Sequence, residues 1–81
     1  MDHSEIRAKI VEIIGIYAKD KDALESATDE TNILQDLKVN SARLVDVILD
    51  FEDAFDIEVE DEDADNVNTI GDAISLISAK I

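Results

Sequence analysis

Apolar residues recur at helical spacing in three separate stretches, and this periodicity constrains the fold of the 81-residue chain more than any other feature. The stretches cover residues 3–19, 41–55 and 69–80, and in each the apolar positions fall on one face of a helix. The stretch 41–55 is the most regular, because acidic residues occupy the face opposite the apolar one. The pattern therefore predicts three amphipathic helices. Their apolar positions are Ile6, Ile10, Ile13, Ile14 and Tyr17, then Leu44, Val47, Ile48, Phe51 and Phe55, then Ile70, Ala73, Ile74, Ile77 and Ile81.

Signals for helix starts and ends support these boundaries. Asp2 and Glu5 resemble a capping box at the start of the first helix, and Thr69 and Asp72 resemble one at the start of the last. Lys19 suits the end of the first helix, where the helix dipole favours a positive charge.

The segments between the helices are of unequal length. Residues 20–40 are rich in turn-forming residues, yet apolar residues among them should pack this long loop against the core. Residues 61–66 are predicted to form one short helical turn, and 57–60 a linker, because two alternating apolar residues are too few for a strand. We therefore expect an all-α fold, a small four-helix bundle of three longer helices and one short helix. A long loop joins the first and second longer helices, and the whole chain, 1–81, forms a single domain. The apolar residues of the loop are Leu24, Ile33, Leu34, Leu37 and Val39.

Composition excludes several classes of function. The chain has no cysteine and a single histidine, His3, so we expect no thiol chemistry, no zinc site and no enzymatic activity. Its formal charge of −14 would repel nucleic acid and favours partners with basic docking faces. No apolar run is long enough to cross a membrane and the first residues do not resemble a signal peptide, so we expect a cytoplasmic protein without membrane insertion. We also expect a monomer.

The charge is unevenly distributed along the chain. Residues 1–43 carry nine acids and six bases, whereas residues 46–65 carry eleven acids and no base. Either a docking surface or a solvated helix face would show this pattern.

Ser41 stands at the predicted start of the acidic helix. Asn40 and Ser41 both suit an N-cap, so one side chain could cap the helix while the other stays free. A phosphate on Ser41 would lie at the positive end of the helix dipole, close in sequence to Lys38 and Arg43. Ser41 could instead be only a helix cap, which is the commoner role of a serine at such a position. A catalytic serine would need a positioned base, and nothing holds His3 near it.

The whole chain resembles acyl carrier proteins. Asp36-Leu37 and Asn40-Ser41 match the family pattern Asp-Leu-Gly-x-Asp-Ser-Leu, and the matching continues through 45–48, 52–57, 60–64 and 67–70. The resemblance implies that Ser41 carries 4'-phosphopantetheine. It also implies a phosphopantetheinyl transferase as a partner, and acyl-transferring and acyl-modifying enzymes that dock on the helix 41–55. Such a protein would carry acyl thioesters for fatty-acid, lipid or polyketide-type biosynthesis.

The expected docking surface lies around the start and the outer face of this helix. Val45 and Leu49 would form a small exposed apolar patch rimmed by carboxylates, as in transient interfaces. Alternatively, both residues could widen the buried face of the helix. The predicted partner-binding residues are Ala42, Arg43, Val45, Asp46, Leu49, Glu52 and Asp53.

Three residues depart from the family pattern. Lys38 replaces a glycine, Asn40 replaces an acid, and Ala42 replaces a large apolar residue. These changes predict a specialised pathway with its own enzymes. They also leave open that the protein is a carrier-like interaction module without the arm. A peptidyl carrier is a further alternative, because peptidyl carriers share the attachment serine.

A calcium-binding loop is a further alternative. Four aspartates occupy positions 1, 3, 5 and 12 of an EF-hand pattern, but the glycine, the apolar residue and the final glutamate of that pattern are missing. The aspartates are Asp61, Asp63, Asp65 and Asp72.

Overall fold

A computed structural model describes residues 2–81, which fold into α-helices joined by turns, with no β-strand between Asp2 and Ile81. Its five α-helices are α1 (His3–Tyr17), α2 (Lys21–Glu25), α3 (Leu44–Phe55), α4 (Asp61–Asp65) and α5 (Ile70–Lys80), and a 3-10 turn, Ser41–Arg43, leads into α3. The all-α bundle and its three long helices are confirmed. The short helix expected over 61–66 is confirmed as α4.

The helix α2 was not predicted and lies inside the segment assigned to a loop. Asp20 caps it by accepting a hydrogen bond from the Ala23 amide at 3.0 Å. Leu24 packs from α2 onto α1, where a β-carbon on Gly15 would lie 3.0 Å from its side chain. Five residues are too few for a helix to be stable alone, so this tertiary contact explains why local periodicity did not reveal α2.

The predicted capping box forms completely at the start of α5 and only by half at the start of α1. The Asp2 side chain accepts a hydrogen bond from the Glu5 amide at 3.0 Å. At the start of α5 both halves of a capping box form, since Thr69 and Asp72 each accept a hydrogen bond from the backbone of the other. These bonds satisfy amides that the first helical turn leaves unpaired.

The core forms where α1 packs against α3 and α5. The predicted apolar faces supply most of it, although Ile13, Tyr17 and Leu44 are only half-buried. The prediction that Ile81 belongs to the core was wrong, because Ile81 is 52% exposed. It follows Lys80, the last residue of α5, and lies beyond the packed part of the helix. The largest fully enclosed side chains are Ile10, Ile14, Ile33, Leu37, Val47, Phe51, Ile70 and Ile77.

The loop between α2 and α3 is fastened to both ends of the bundle. Its buried residues Ile33, Leu37 and Val39 confirm the predicted anchoring. The Leu37 carbonyl accepts hydrogen bonds from the Lys19 and Asp20 amides, just after α1. The Ile33 amide donates a hydrogen bond to the Asn68 carbonyl, just before α5. These bonds hold the segment that leads to Ser41 in a defined position on the core.

Within residues 2–81, two residues other than glycine have a positive φ. Lys38 has φ 58° in the loop before Ser41, and Asp56 has φ 54° at the end of α3. This left-handed region is strained for residues with a β-carbon, which gives a physical reason for the glycine that the family pattern has at position 38.

Candidate functional site

Ser41 is exposed at the first position of the 3-10 turn that leads into α3. Asn40 provides the cap, because its side-chain oxygen accepts a hydrogen bond from the Ala42 amide at 2.9 Å. The Ser41 hydroxyl forms no hydrogen bond to any residue between Asp2 and Ile81. Of the two alternatives, the structure therefore gives the capping role to Asn40 and leaves the Ser41 hydroxyl accessible for modification.

A groove of about 290 Å³ opens next to Ser41. One wall is the side of α3 that faces α4, and the other is formed by α4 and Val59 of the preceding linker. Its lining is mainly apolar with carboxylates at the rim, so it suits an apolar chain better than a polar ligand. The residues that line it are Ser41, Leu44, Val45, Ile48, Leu49, Glu52, Val59, Asp61, Ala64 and Asp65.

The predicted apolar patch lies on the outer face of α3. Val45 is 65% exposed and Leu49 is 55% exposed, and neither belongs to the buried cluster. The alternative in which they widen the core face is therefore wrong. Both side chains also line the edge of the groove beside Ser41.

The polar residues of this surface differ in how freely they could meet a partner. Ala42 and Asp53 are exposed. Arg43 forms an ion pair with Asp46 at 3.1 Å, so each partly neutralises the other. Glu52 is half-buried and accepts a hydrogen bond from the Val59 amide at 3.0 Å, which ties the linker to α3. Sequence periodicity could not show this role of Glu52, because Val59 lies outside the helix.

A second contact that the sequence did not reveal holds α3 against α1. The Tyr17 hydroxyl donates a hydrogen bond to the Asp50 carboxylate at 2.7 Å. This bond to a negatively charged acceptor, and the removal of the hydroxyl from water, raise the pKa of Tyr17 above its usual value. The two residues are far apart in sequence, so no local pattern could have paired them.

The aspartates of the EF-hand pattern do not form a calcium loop. Asp61, Asp63 and Asp65 lie in the helix α4, and Asp63 forms an ion pair with Lys80 at 3.2 Å. Asp72 accepts hydrogen bonds from the Asn68 and Thr69 amides, which lower the pKa of its carboxyl group. No three acidic or histidine side chains converge on a common point in the described part of the chain.

A serine-histidine pair is also absent from the site. His3 is exposed in the first turn of α1 and is not among the groove-lining residues of the described chain. None of the helices within residues 2–81 has the length and hydropathy needed to span a bilayer.

Comparisons with known proteins agree with this geometry. Residues 4–77 match the family model described as a phosphopantetheine attachment site. The chain is 39% identical to an acyl carrier protein of Lactobacillus acidophilus, over 98% of this chain and 96% of that protein. It is 33% identical to an acyl carrier protein of Thermotoga maritima, over 96% of this chain and 89% of that protein.

The likeness extends to the fold. A solved structure of the acyl carrier protein from Enterococcus faecalis superposes with a TM-score of 0.82 at 31% sequence identity, and all of both chains is covered. Members of this family interact with phosphopantetheinyl transferases and acyl-handling enzymes, usually in fatty-acid biosynthesis, and are carriers rather than enzymes. The chain therefore belongs to the acyl carrier protein family, and it carries acyl groups on a covalently attached 4'-phosphopantetheine arm.

Proposed function

We propose that Ser41 is the residue to which the 4'-phosphopantetheine arm is attached. The observation that carries the proposal is the free, exposed hydroxyl of Ser41 beside the capping residue Asn40. A transferase can reach this hydroxyl without breaking the helix cap. The resemblance to the family pattern around Asp36-Leu37 and Asn40-Ser41 supports the same position.

For the attachment reaction, this chain supplies only the Ser41 hydroxyl as the nucleophile. The Ser41 oxygen forms a bond to the phosphorus of coenzyme A that bears the pantetheine, the hydroxyl proton passes to a base, and adenosine 3',5'-bisphosphate leaves. We infer that the transferase supplies the base, since the Ser41 hydroxyl forms no hydrogen bond to a carboxylate or a histidine within residues 2–81. Once attached, the arm supplies a terminal thiol that holds acyl groups as thioesters. The groove between α3 and α4 offers apolar walls to an acyl chain that returns to the protein.

The outer face of α3 is the proposed docking surface for partner enzymes. Val45 and Leu49 provide exposed apolar area, and Asp53 provides an exposed carboxylate one turn further on. Carboxylates around a small apolar patch increase the rate at which basic partners associate more than they increase affinity. Such rapid and weak binding suits a carrier that visits several enzymes in turn. Ala42 and Arg43 lie at the near edge of this surface, next to Ser41.

The departures at Lys38, Asn40 and Ala42 support a specialised pathway with its own enzymes. In the structure all three are exposed close to Ser41 along the chain, where a transferase or acyl-handling enzyme would meet them. Their side chains therefore change the surface that a partner recognises without changing the core.

Intact mass spectrometry tests the attachment site. The protein is incubated with coenzyme A and a broad-specificity phosphopantetheinyl transferase, in parallel with Ser41→Ala and with the control Ser78→Ala, an exposed serine on α5. We expect the wild type and Ser78→Ala to gain the mass of one phosphopantetheine and Ser41→Ala to gain none. A gain in Ser41→Ala would contradict the proposed site, and no gain in any variant with several transferases would favour an interaction module without the arm.

A further inference from the structure

We propose that Glu52 limits the length of the acyl chain that this protein shelters, because it closes the end of the groove that lies away from Ser41. Glu52 is then a specificity-determining residue for the cargo. The inference rests on the proposed function, since it requires an acyl group, carried on an arm at Ser41, to return to this groove.

The groove follows α3 from Ser41 and ends at Glu52. Its wall on α3 begins at Leu44, and Glu52 is the groove-lining residue farthest along the helix. Phe55, one helical turn further on, is buried in the core and is not part of the groove lining. A rise of about 1.5 Å per residue places Glu52 about 12 Å beyond Leu44 along α3. An acyl chain that enters near Ser41 therefore meets Glu52 last.

A hydrogen bond joins the two walls of the groove at this far end. The Glu52 carboxylate, on α3, accepts a hydrogen bond from the amide of Val59 at 3.0 Å, and Val59 lines the opposite wall. Val59 also packs against the core. The groove is therefore closed by a polar bridge where its apolar lining ends.

Further contacts keep the walls from separating. The Glu52 carbonyl accepts hydrogen bonds from the amides of Asp56 and Ile57, so Glu52 holds the linker through its backbone as well as its side chain. The helix α4, which forms the rest of the opposite wall, is tied to α5 by the ion pair between Asp63 and Lys80 at 3.2 Å. The width of the groove is thus fixed on both sides of the bridge.

A longer acyl chain loses more at this bridge than it gains. To extend further, the chain must pass between the Glu52 carboxylate and the Val59 amide, both of half-buried residues. Each polar group would then face methylene groups in place of its partner, which is costly. Each methylene group that stays on the near side of the bridge gains from burial. The gain should therefore stop at the chain length that fills the groove.

Thermal unfolding of a series of loaded proteins tests this inference. The transferase loads the chain from butyryl-, octanoyl-, dodecanoyl- or hexadecanoyl-coenzyme A, and each Tm is compared with that of the unloaded protein. Intact mass, with Ser41→Ala as the unloaded control, confirms complete loading, so a failure of the proposed function is recognised before any melting curve is measured. In the wild type, Tm should rise from butyryl to octanoyl, whose extended length is comparable with that of the groove, and then stay level.

Matched variants distinguish the bridge from a general effect of charge. In Glu52→Ala, the dodecanoyl form should melt about 4–8 °C above the octanoyl form, the shift expected when one or two further methylene groups are buried. Glu52→Gln keeps an oxygen that accepts the Val59 hydrogen bond, so its series should stay level beyond octanoyl. Glu58→Ala removes the same charge from an exposed residue of the linker and should also stay level.

The comparison within each variant removes any effect of the substitution on the unloaded fold. A wild-type Tm that keeps rising from octanoyl to hexadecanoyl would overturn the proposal without any variant. A level series in Glu52→Ala, or the same rise in Glu58→Ala, would also overturn it.

Discussion

Replacement of Asp56 by glycine should stabilise the protein, for two reasons visible at the end of α3. Asp56 closes the helix with φ 54°, and its amide donates to the Glu52 carbonyl. The left-handed conformation costs a residue with a β-carbon about 1 kcal/mol, at the low end of the general range because aspartate tolerates it. The carboxylate also lies at the negative end of the helix dipole, in a helix whose last turn has no base, which costs about 0.3–1 kcal/mol.

These terms combine to a measurable gain. Glycine increases the entropy of the unfolded chain and so loses about 0.4–1 kcal/mol of the benefit. The net effect of Asp56→Gly is then a rise of about 1 kcal/mol in the free energy of unfolding, or about 4–8 °C in Tm for a domain of this size. Thermal and urea unfolding followed by circular dichroism measure both quantities.

Two further substitutions at the same position separate the causes. Asp56→Asn removes the charge but keeps a residue that tolerates the left-handed region, so it should gain only the dipole contribution, and this gain should shrink in high salt. Asp56→Ala removes the charge but retains the strain, so it should be less stable than Asp56→Gly. The reasoning from the backbone conformation is refuted if Asp56→Gly is no more stable than the wild type. It is also refuted if Asp56→Ala is as stable as Asp56→Gly.

Four other predictions follow from the contacts described above. Tyr17→Phe should lower Tm, because the hydrogen bond to Asp50 is lost. Since the pKa of Tyr17 is raised, the stabilisation by this bond is present at neutral pH and is lost as the pH rises through that raised pKa. The loss of stability at alkaline pH should therefore be smaller in the variant than in the wild type, and an equal loss would contradict this. Asp72→Asn should lower the free energy of unfolding, measured in urea, by about 1 kcal/mol. Because the pKa of Asp72 is lowered in the folded protein, its stabilisation is present above the pKa of the unfolded chain and is lost as the pH falls through the pKa of the folded protein. The variant should therefore lose less stability in acid than the wild type does. Asp53→Lys should slow modification by a transferase with a basic docking face several-fold at low salt, whereas Glu12→Lys on the exposed face of α1 should not, and equal rates for both would argue against docking on α3. Millimolar Mg²⁺ should raise Tm by reducing repulsion among the eleven acids of residues 46–65, and an unchanged melting curve would refute this.

Sequence patterns predicted the parts of the fold that local interactions govern. The apolar spacing gave the long helices, and the pair Thr69 and Asp72 gave the start of α5, because a capping box lies within four consecutive residues. The short helix α2 escaped prediction, since it depends on the contact between Leu24 and α1 at Gly15. Ile81 was misplaced for a related reason: periodicity continues past the point where the neighbouring helices stop.

The candidate site shows the same division. The sequence singled out Ser41, and it left open whether Asn40 or Ser41 caps the helix, because both side chains are suitable. Only the three-dimensional structure assigned the cap to Asn40 and exposed the Ser41 hydroxyl.

The sequence by itself determined the helical class, the acidic surface and the serine, because periodicity, charge and motif are properties of neighbouring residues. Tertiary structure decided which groups meet: Tyr17 with Asp50, and Glu52 with the Val59 amide. These contacts join different elements of the fold. Their geometry is set by the packing of the helices around a shared core, which no local pattern encodes.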